Sequence, residues 1–379
     1  MPSGIGLGDD EYFNSSKNKV LILHMFDSKI ILPTVMTSLL FMQTITVYAT
    51  TSPPQTYMPN ALDREPPTDS LIEVYNWSHE LWNAQNLSQF IPFFYPVFYY
   101  VDHPTGHQVY NQPQMRTYAG ALWNFSSDPK MVDREYLKDN SSGMILMTGI
   151  MNGTHDESFV VPATGKVFEV PLAEFILWDE NKRVLGGDMY YDRLNLLEDI
   201  GMANWTAPET PTPTRMASPP PAMLPPGPVS APSDDLRQRH NWLHEQWNER
   251  NISAVLPYIE PEIHYVDQAT GQVLTTAEEL ANHISRPLNA SSDAKIANYE
   301  YFQSGDQTFS KFTLYGTNDQ PYEDNPATGN NFSVDAVEIV DWDSEGKVKG
   351  GEIFYDRLTA LEQIGLVPPA NNTIMPYLH

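Results

Sequence analysis

A chain that writes nearly the same domain twice must fold each copy in nearly the same way. Residues 162–201, PATGKVFEVPLAEFILWDENKRVLGGDMYYDRLNLLEDIG, align without a gap to residues 326–365, PATGNNFSVDAVEIVDWDSEGKVKGGEIFYDRLTALEQIG, and half of the positions are identical. Upstream, NWSHELWNAQNLS from Asn76 matches NWLHEQWNERNIS from Asn241, and YVDHPTG from Tyr100 matches YVDQATG from Tyr265. The offset is 165 residues upstream and 164 downstream, a drift of one residue across a whole repeat. Solenoid units recur every roughly 20 to 50 residues. Each copy here instead has the length of an ordinary single domain.

The repeats divide the chain. We expect a leader of uncertain role at 1–24, a signal peptide or membrane anchor at 25–49, a short linker at 50–67, a first domain at 68–204, a Pro-rich linker at 205–233, a second domain at 234–368 and a tail at 369–379. Lys29 precedes an apolar run from Ile30 to Tyr48, which small residues follow at Ala49 to Ser52. That is the layout of a secretory signal with Met25 as the expected start, and its length also suits an uncleaved anchor, the one route to a membrane in this reading. Ten Asn-X-Ser/Thr triplets follow, at Asn76, Asn86, Asn124, Asn140, Asn152, Asn204, Asn251, Asn289, Asn331 and Asn371, and they point the same way. Cysteine is absent, so thiolate nucleophiles, thiolate metal sites and disulfides are excluded. The formal charge of −26 argues against nucleic acid as a partner. Between the copies, Pro is about every third residue, a polyproline-type spacer.

Each copy opens with helical spacing, Leu71, Val74, Tyr75, Leu81 and Trp82 in the first and Leu236, Trp242, Leu243 and Trp247 in the second. A second helix is expected at 275–285, capped by Thr275 or Thr276, with a weaker counterpart in NQPQMRTYAGALWN. Runs at 142–151, 158–178 and 183–191 are rich in Val, Ile, Phe, Tyr and Met and read as antiparallel strands joined by DENK and DSEGK turns. Asp192 and Asp356 then stand as N-caps of closing helices that end at Gly201 and Gly365. Helices packed on one face of a curved sheet make an α+β class.

With HELWNAQNLS and HEQWNERNIS on the first helix, the YVD turns, PATG, the long strand and the closing YDRL helix in this order, both copies resemble the SnoaL-like polyketide cyclase family of the nuclear transport factor 2-like superfamily. The resemblance implies two tandem cone-shaped α+β barrels, each with a pocket at its open end, and a cofactor-free cyclase or isomerase that acts on a small polyketide-like or apolar carbonyl compound. It also implies a pairing of the two cones through their exposed sheet faces within one chain. The other reading is a secreted, non-catalytic glycoprotein that binds an apolar ligand or acts as a scaffold on the same fold. One departure stands out: family members often carry a Glu-His-Trp-like stretch in the last strand, where this chain has Gly186-Gly187-Asp188 and Gly350-Gly351-Glu352.

Strand parity nominates the chemistry. Val170, Leu172, Glu174, Ile176 and Trp178 share one face, as do Val334, Ala336, Glu338, Val340 and Trp342, so each copy sets one carboxylate in an apolar row. Desolvation is expected to raise the pKa of Glu174 and Glu338 toward that of a general base working near neutrality, unless each is bonded to a neighbouring strand or to Arg193 or Arg357. The same alternation puts Asp188 with Tyr190, and Glu352 with Phe354, on that concave face as further acids and ligand contacts. Asp192 and Asp356 are caps first and catalytic candidates second, each with the following Arg as its expected partner. Tyr100, Asp102, Tyr265 and Asp267, near a strand end, and Trp178 and Trp342 complete the ligand-binding set. His103 and His107 do not recur, being Gln268 and Gln272 in the second copy, and His79 and His244 recur in a HELWN-type helix that is not the two-histidine zinc motif. No metal and no cofactor are expected. Expression in a eukaryotic host should yield a secreted protein whose mass falls on peptide-N-glycosidase treatment, and an unshifted, cytosolic product would remove the export reading.

Overall fold

A computed structural model describes residues 70–158, 161–203, 233–322 and 325–367. The expectations for the N-terminal segment, the Pro-rich linker and the C-terminal tail lie outside the described residues. No helix among the described residues is long and apolar enough to cross a membrane.

The two copies repeat one element order. The first runs α1 (Leu71–Asn83), α2 (Leu87–Phe90), β1 (Phe94–Asp102), β2 (His107–Asn111), α3 (Gln112–Ala121), β3 (Lys130–Lys138), β4 (Met144–Thr154), β5 (Val167–Trp178), β6 (Val184–Tyr191) and α4 (Arg193–Asp199). The second runs α5 (Leu236–Asn248), α6 (Ile252–Val255), β7 (Ile259–Asp267), β8 (Gln272–Thr276), α7 (Ala277–Ala290), β9 (Lys295–Ser304), β10 (Gln307–Thr317), β11 (Asn331–Trp342), β12 (Val348–Tyr355) and α8 (Arg357–Gln363). Each forms a six-stranded sheet, in the orders β2-β1-β6-β5-β4-β3 and β8-β7-β12-β11-β10-β9. Only β1 with β6 and β7 with β12 run parallel among these neighbours.

The helices form where the sequence places their caps. Thr276 Oγ1 accepts from the Glu279 backbone N–H at 3.2 Å, and Asn111 Oδ1 does the same for Gln114 at 3.0 Å. Trp82 and Trp247, at the ends of α1 and α5, each donate an indole N–H across to α3 and α7, to the Ala119 and Ile284 carbonyls. The expected strand from 158 is shorter in the structure: β5 begins at Val167, because His155 turns the chain back through backbone bonds with Gly165 and Lys166.

The largest correction concerns the last strand. Between Leu177 and Trp178 the pairing shifts, with Trp178 opposite Val184 but Leu177 opposite Gly186, so Leu185 is an extra residue. A bulge of one residue moves everything beyond it to the other face. Asp188 is therefore opposite Phe175 and not Glu174, and Tyr190 is opposite Ala173. The second copy shifts at the same place, and Glu352 lies opposite Ile339, Phe354 opposite Val337. Asp188, Tyr190, Glu352 and Phe354 thus leave the concave face, which Met189 and Tyr191, Ile353 and Tyr355 occupy instead. The glycine pairs belong to this geometry. A Cβ on Gly186 would stand 2.7 Å from the Tyr99 carbonyl oxygen, and one on Gly350 would stand 2.4 Å from that of His264, closer than any side chain tolerates.

The faces turned away from the cones meet each other. Leu146, Ala173, Phe175 and Tyr190 of the first copy pack with Phe302, Phe309, Val337, Ile339 and Phe354 of the second. The Phe175 ring lies 5.7 Å from Phe302 and 5.9 Å from Phe309. The two closing helices then exchange arginines. Arg193 donates to Asp356 from its backbone N–H at 2.9 Å and from Nε at 2.8 Å, and Arg357 donates to Asp192 in the same way at 3.0 and 2.6 Å. Asp192 and Asp356 cap their own helices as expected, but the partner of each is the other copy's arginine, not the one that follows it. Removing Asp356 takes the backbone and Nε acceptor from Arg193, which keeps Glu362 and Thr359, and leaves α8 without its cap, so Asp356→Ala should cost about 2 to 4 kcal/mol in urea unfolding.

One side of this contact carries a histidine that the other lacks. His103 stacks on Tyr190 at 4.4 Å and bridges Asp188 at 3.1 Å and Asp335 at 2.8 Å, while Lys311 holds the second oxygen of Asp188 at 3.0 Å. At the matching position Gln268 donates to Glu352 at 2.8 Å. Burial pushes His103 down, but Asp188 and Asp335 carry it up to about 9. A histidine raised in the folded state contributes stability that is whole below its unfolded pKa, near 6.5, and is lost as pH rises through about 9. With Asp335 partly exposed, the contribution is of order 1 to 3 kcal/mol. The thermal midpoint should fall across that window, and His103→Gln should flatten this part of the pH profile.

Candidate active sites

Each cone holds a buried glutamate at the wall of an apolar cavity, Glu174 in the first and Glu338 in the second. In the first, the helix α1 spacing puts Tyr75 and His79 one turn apart, facing β5, where Glu174 points inward. Glu174 Oε2 accepts from the Tyr75 hydroxyl and lies 3.3 Å from His79 Nε2, while Oε1 accepts from the Tyr100 hydroxyl at 2.6 Å. The other nitrogen of His79 faces the Tyr136 hydroxyl at 3.3 Å. The second cone repeats the plan with one change. Glu338 Oε2 is shared by His240 Nε2 at 3.1 Å and His244 Nε2 at 2.8 Å, Oε1 accepts from Tyr265 at 2.8 Å, and His244 Nδ1 meets Tyr301 at 2.7 Å. Tyr75 and His240 occupy the same repeat position, 165 residues apart.

These bonds reverse the expected titration. Burial pushes Glu174 up, but His79, Tyr100 and Tyr75 outweigh it and hold the carboxyl below its usual range. Burial acts on Glu338 in the same sense, and His240 and His244 lower it further still. The cost falls on the phenols: burial, then the neighbouring carboxylate, raises Tyr75, Tyr100 and Tyr265 well above the ordinary tyrosine value, so they remain donors. The arginines considered as partners for Glu174 and Glu338 are occupied in the exchange between closing helices.

The cavity of the first cone has a volume of about 160 Å³ and that of the second about 300 Å³. Tyr100, Asp102, Glu174 and Trp178 line the first, and Tyr265 and Glu338 line the second. Asp102 is buried and accepts from Tyr118 at 2.9 Å and Tyr191 at 3.3 Å, and burial raises its pKa. Asp267 is fully buried behind Tyr355, which donates at 3.0 Å, and His283 at 3.4 Å. Trp342 sits in the core of the second cone, its indole N–H bonded to Thr308 at 2.8 Å, and does not line the cavity. Asp188, Tyr190, Asp192, Glu352, Phe354 and Asp356 line neither cavity: Tyr190 and Phe354 pack between the copies, Asp188 pairs with Lys311, Asp192 and Asp356 accept the exchanged arginines, and Glu352 accepts from Gln268 of its own copy. Sequence parity passed over Tyr75, Tyr136, His240 and Tyr301. The signal that could have found His240 is its spacing of four from His244, one helical turn on the same face.

A cone of α+β construction with a buried carboxylate held by phenols and imidazole defines the class. The family model of SnoaL-like polyketide cyclases matches residues 237–364, within the second copy, and the first copy repeats the element order and strand order of the second. No curated protein matches the chain significantly. Solved structures similar to it include TsrD from Streptomyces laurentii, at 20% identity over 36% of this chain and 98% of that one, TM-score 0.32. A candidate SnoaL-like polyketide cyclase from Jannaschia is 16% identical over 38% of this chain and 100% of its own, TM-score 0.33. A protein of ketosteroid isomerase-like fold from Catenulispora acidiphila, in complex with trimethylamine, is 15% identical over 37% and 98%, TM-score 0.31.

Proposed function

We propose that the first cone is a cofactor-free cyclase or isomerase site for a small apolar carbonyl compound, with Glu174 as the general base. The observation that carries this reading is a carboxylate, 8% exposed, in the wall of an apolar cavity with two phenols and an imidazole on it. A cavity near 160 Å³ is of the size that admits a single ring. A bound carbonyl oxygen near Tyr75 or Tyr100 competes with Glu174 for the phenol. Each donor that turns to the carbonyl leaves the carboxylate and raises its basicity, while the same phenol stabilises the enolate that forms. Substrate binding thus changes Glu174 from a well-held anion to a working base, the reverse of a base poised in the empty site. In this reading the proton that Glu174 takes from carbon passes to His79 Nε2, 3.3 Å away, which gives it to the product while Tyr136 holds the other ring nitrogen. In the second cone Glu338 likewise accepts from a phenol, Tyr265, and the larger cavity there has room for a larger ligand.

The test is proton exchange, which needs no knowledge of the natural product. With a cyclic 1,3-diketone in deuterated buffer, followed by nuclear magnetic resonance, the protein should accelerate exchange at the activated carbon. Glu174→Gln should lower the rate of the first cone at least about 100-fold, and Tyr100→Phe by a smaller factor. Saturable binding of the probe with no exchange above buffer would favour the alternative reading, a ligand-binding glycoprotein on the same fold.

A further inference from the structure

We propose that the second cone, unlike the first, is a binding site for a first-row divalent cation of the Zn²⁺ type, held by His240, His244 and Glu338. The three side chains offer two imidazole nitrogens and one carboxylate oxygen that all lie within 4.8 Å of one another. This is the two-histidine, one-carboxylate donor set that suits zinc and its neighbours and leaves a coordination position open. The histidines come from successive turns of α5 and the glutamate from β11, so the site is fixed by two rigid elements.

The spacing is close to what an ion needs. Ligand atoms about 2.0 to 2.1 Å from Zn²⁺ stand roughly 3.3 Å apart in a tetrahedron. The Glu338 oxygen now lies 3.1 and 2.8 Å from the two Nε2 atoms, so an ion enters with shifts of a few tenths of an ångström on those edges. The surrounding bonds are those of a ligand set. Both histidines turn Nε2 to the shared point and hold Nδ1 against a hydroxyl, Thr308 Oγ1 at 2.9 Å for His240 and Tyr301 at 2.7 Å for His244. Metal-bound imidazoles are oriented in this way by an acceptor on the remote nitrogen. A hydroxyl serves particularly well, because it donates to a bare Nδ1 and accepts from a protonated one, and so follows the tautomer that frees Nε2 for the ion. Tyr265 secures the other oxygen of Glu338. His244, Tyr265 and Glu338 also line the 300 Å³ cavity, which gives the open position room for water or an oxygen-bearing ligand.

The duplication supplies the control. The first cone keeps His79, Glu174, Tyr100 and Tyr136 but has Tyr75 where the second has His240, so it lacks one ligand. The full-length protein, stripped with chelator and dialysed against Zn²⁺, should retain one ion per chain by elemental analysis. His240→Tyr installs the residue that the first cone already accommodates, and it should weaken Zn²⁺ binding at least tenfold in calorimetric titration. Tyr75→His should raise the stoichiometry to two. Substitution with Co²⁺ should give visible absorption of tetrahedral intensity, which His240→Tyr removes. Retention of no Zn²⁺ above the buffer blank, or equal binding by the wild-type protein and His240→Tyr, would overturn the proposal. The measurement counts ions and involves no turnover, so it stands or falls apart from the exchange chemistry of the first cone.

Discussion

The rest of each cone is arranged around one electrostatic debt, a carboxylate buried in an apolar cavity with no guanidinium to neutralise it. Removing such an ion from water costs several kcal/mol. Hydrogen bonds to a charged group contribute about 1.5 to 3 kcal/mol each, so three of them offset a cost of that size. Glu174 receives its bonds from α1 and β1, and Glu338 from α5 and β7. The first helix and the first strand of each copy are thus tied to one carboxylate in the wall. Loss of the carboxylate would leave buried phenols and imidazoles without their common acceptor.

The bulge in the last strand decides what the two sheet faces are for. Before it, Val184 and Val348 point into the cones; after it, Asp188 and Glu352 point out. The outward set is then apolar enough at Phe175, Tyr190, Val337 and Phe354 to pack against its counterpart, with charged groups at the margin. Glycine pairs permit the close backbone approach that the shifted strand requires. A single extra residue per copy therefore separates the surface that holds a ligand from the surface that holds the other domain.

Duplication followed by divergence is visible in single substitutions at matched positions. Tyr75 against His240 changes a hydroxyl donor into a second imidazole beside the same glutamate. His103 against Gln268 changes a chargeable bridge into a neutral amide. The closing helices have stayed alike, because each supplies the arginine that the other's capping aspartate and glutamate accept, and a change on one side weakens the network on both.

Much of this was legible in the residues. Repetition set two domains, helical spacing and caps set the first and closing helices, and alternation along β5 and β11 placed Glu174 and Glu338 inward, because side-chain period follows from backbone geometry alone. Alternation failed one strand later, since a bulge is a matter of how two strands pair and leaves no mark in the period of either. The titration of Glu174 and Glu338 was misjudged for a similar reason: burial can be inferred from an apolar row, but Tyr75, Tyr100, His240 and Tyr265 reach the carboxylates from segments that are distant in sequence. The sequence by itself determined the domains, the helices and the inward acids, which depend on local chain geometry. Only the tertiary structure decided which donors meet those acids and which arginine meets which aspartate, because such partners are chosen by proximity in space.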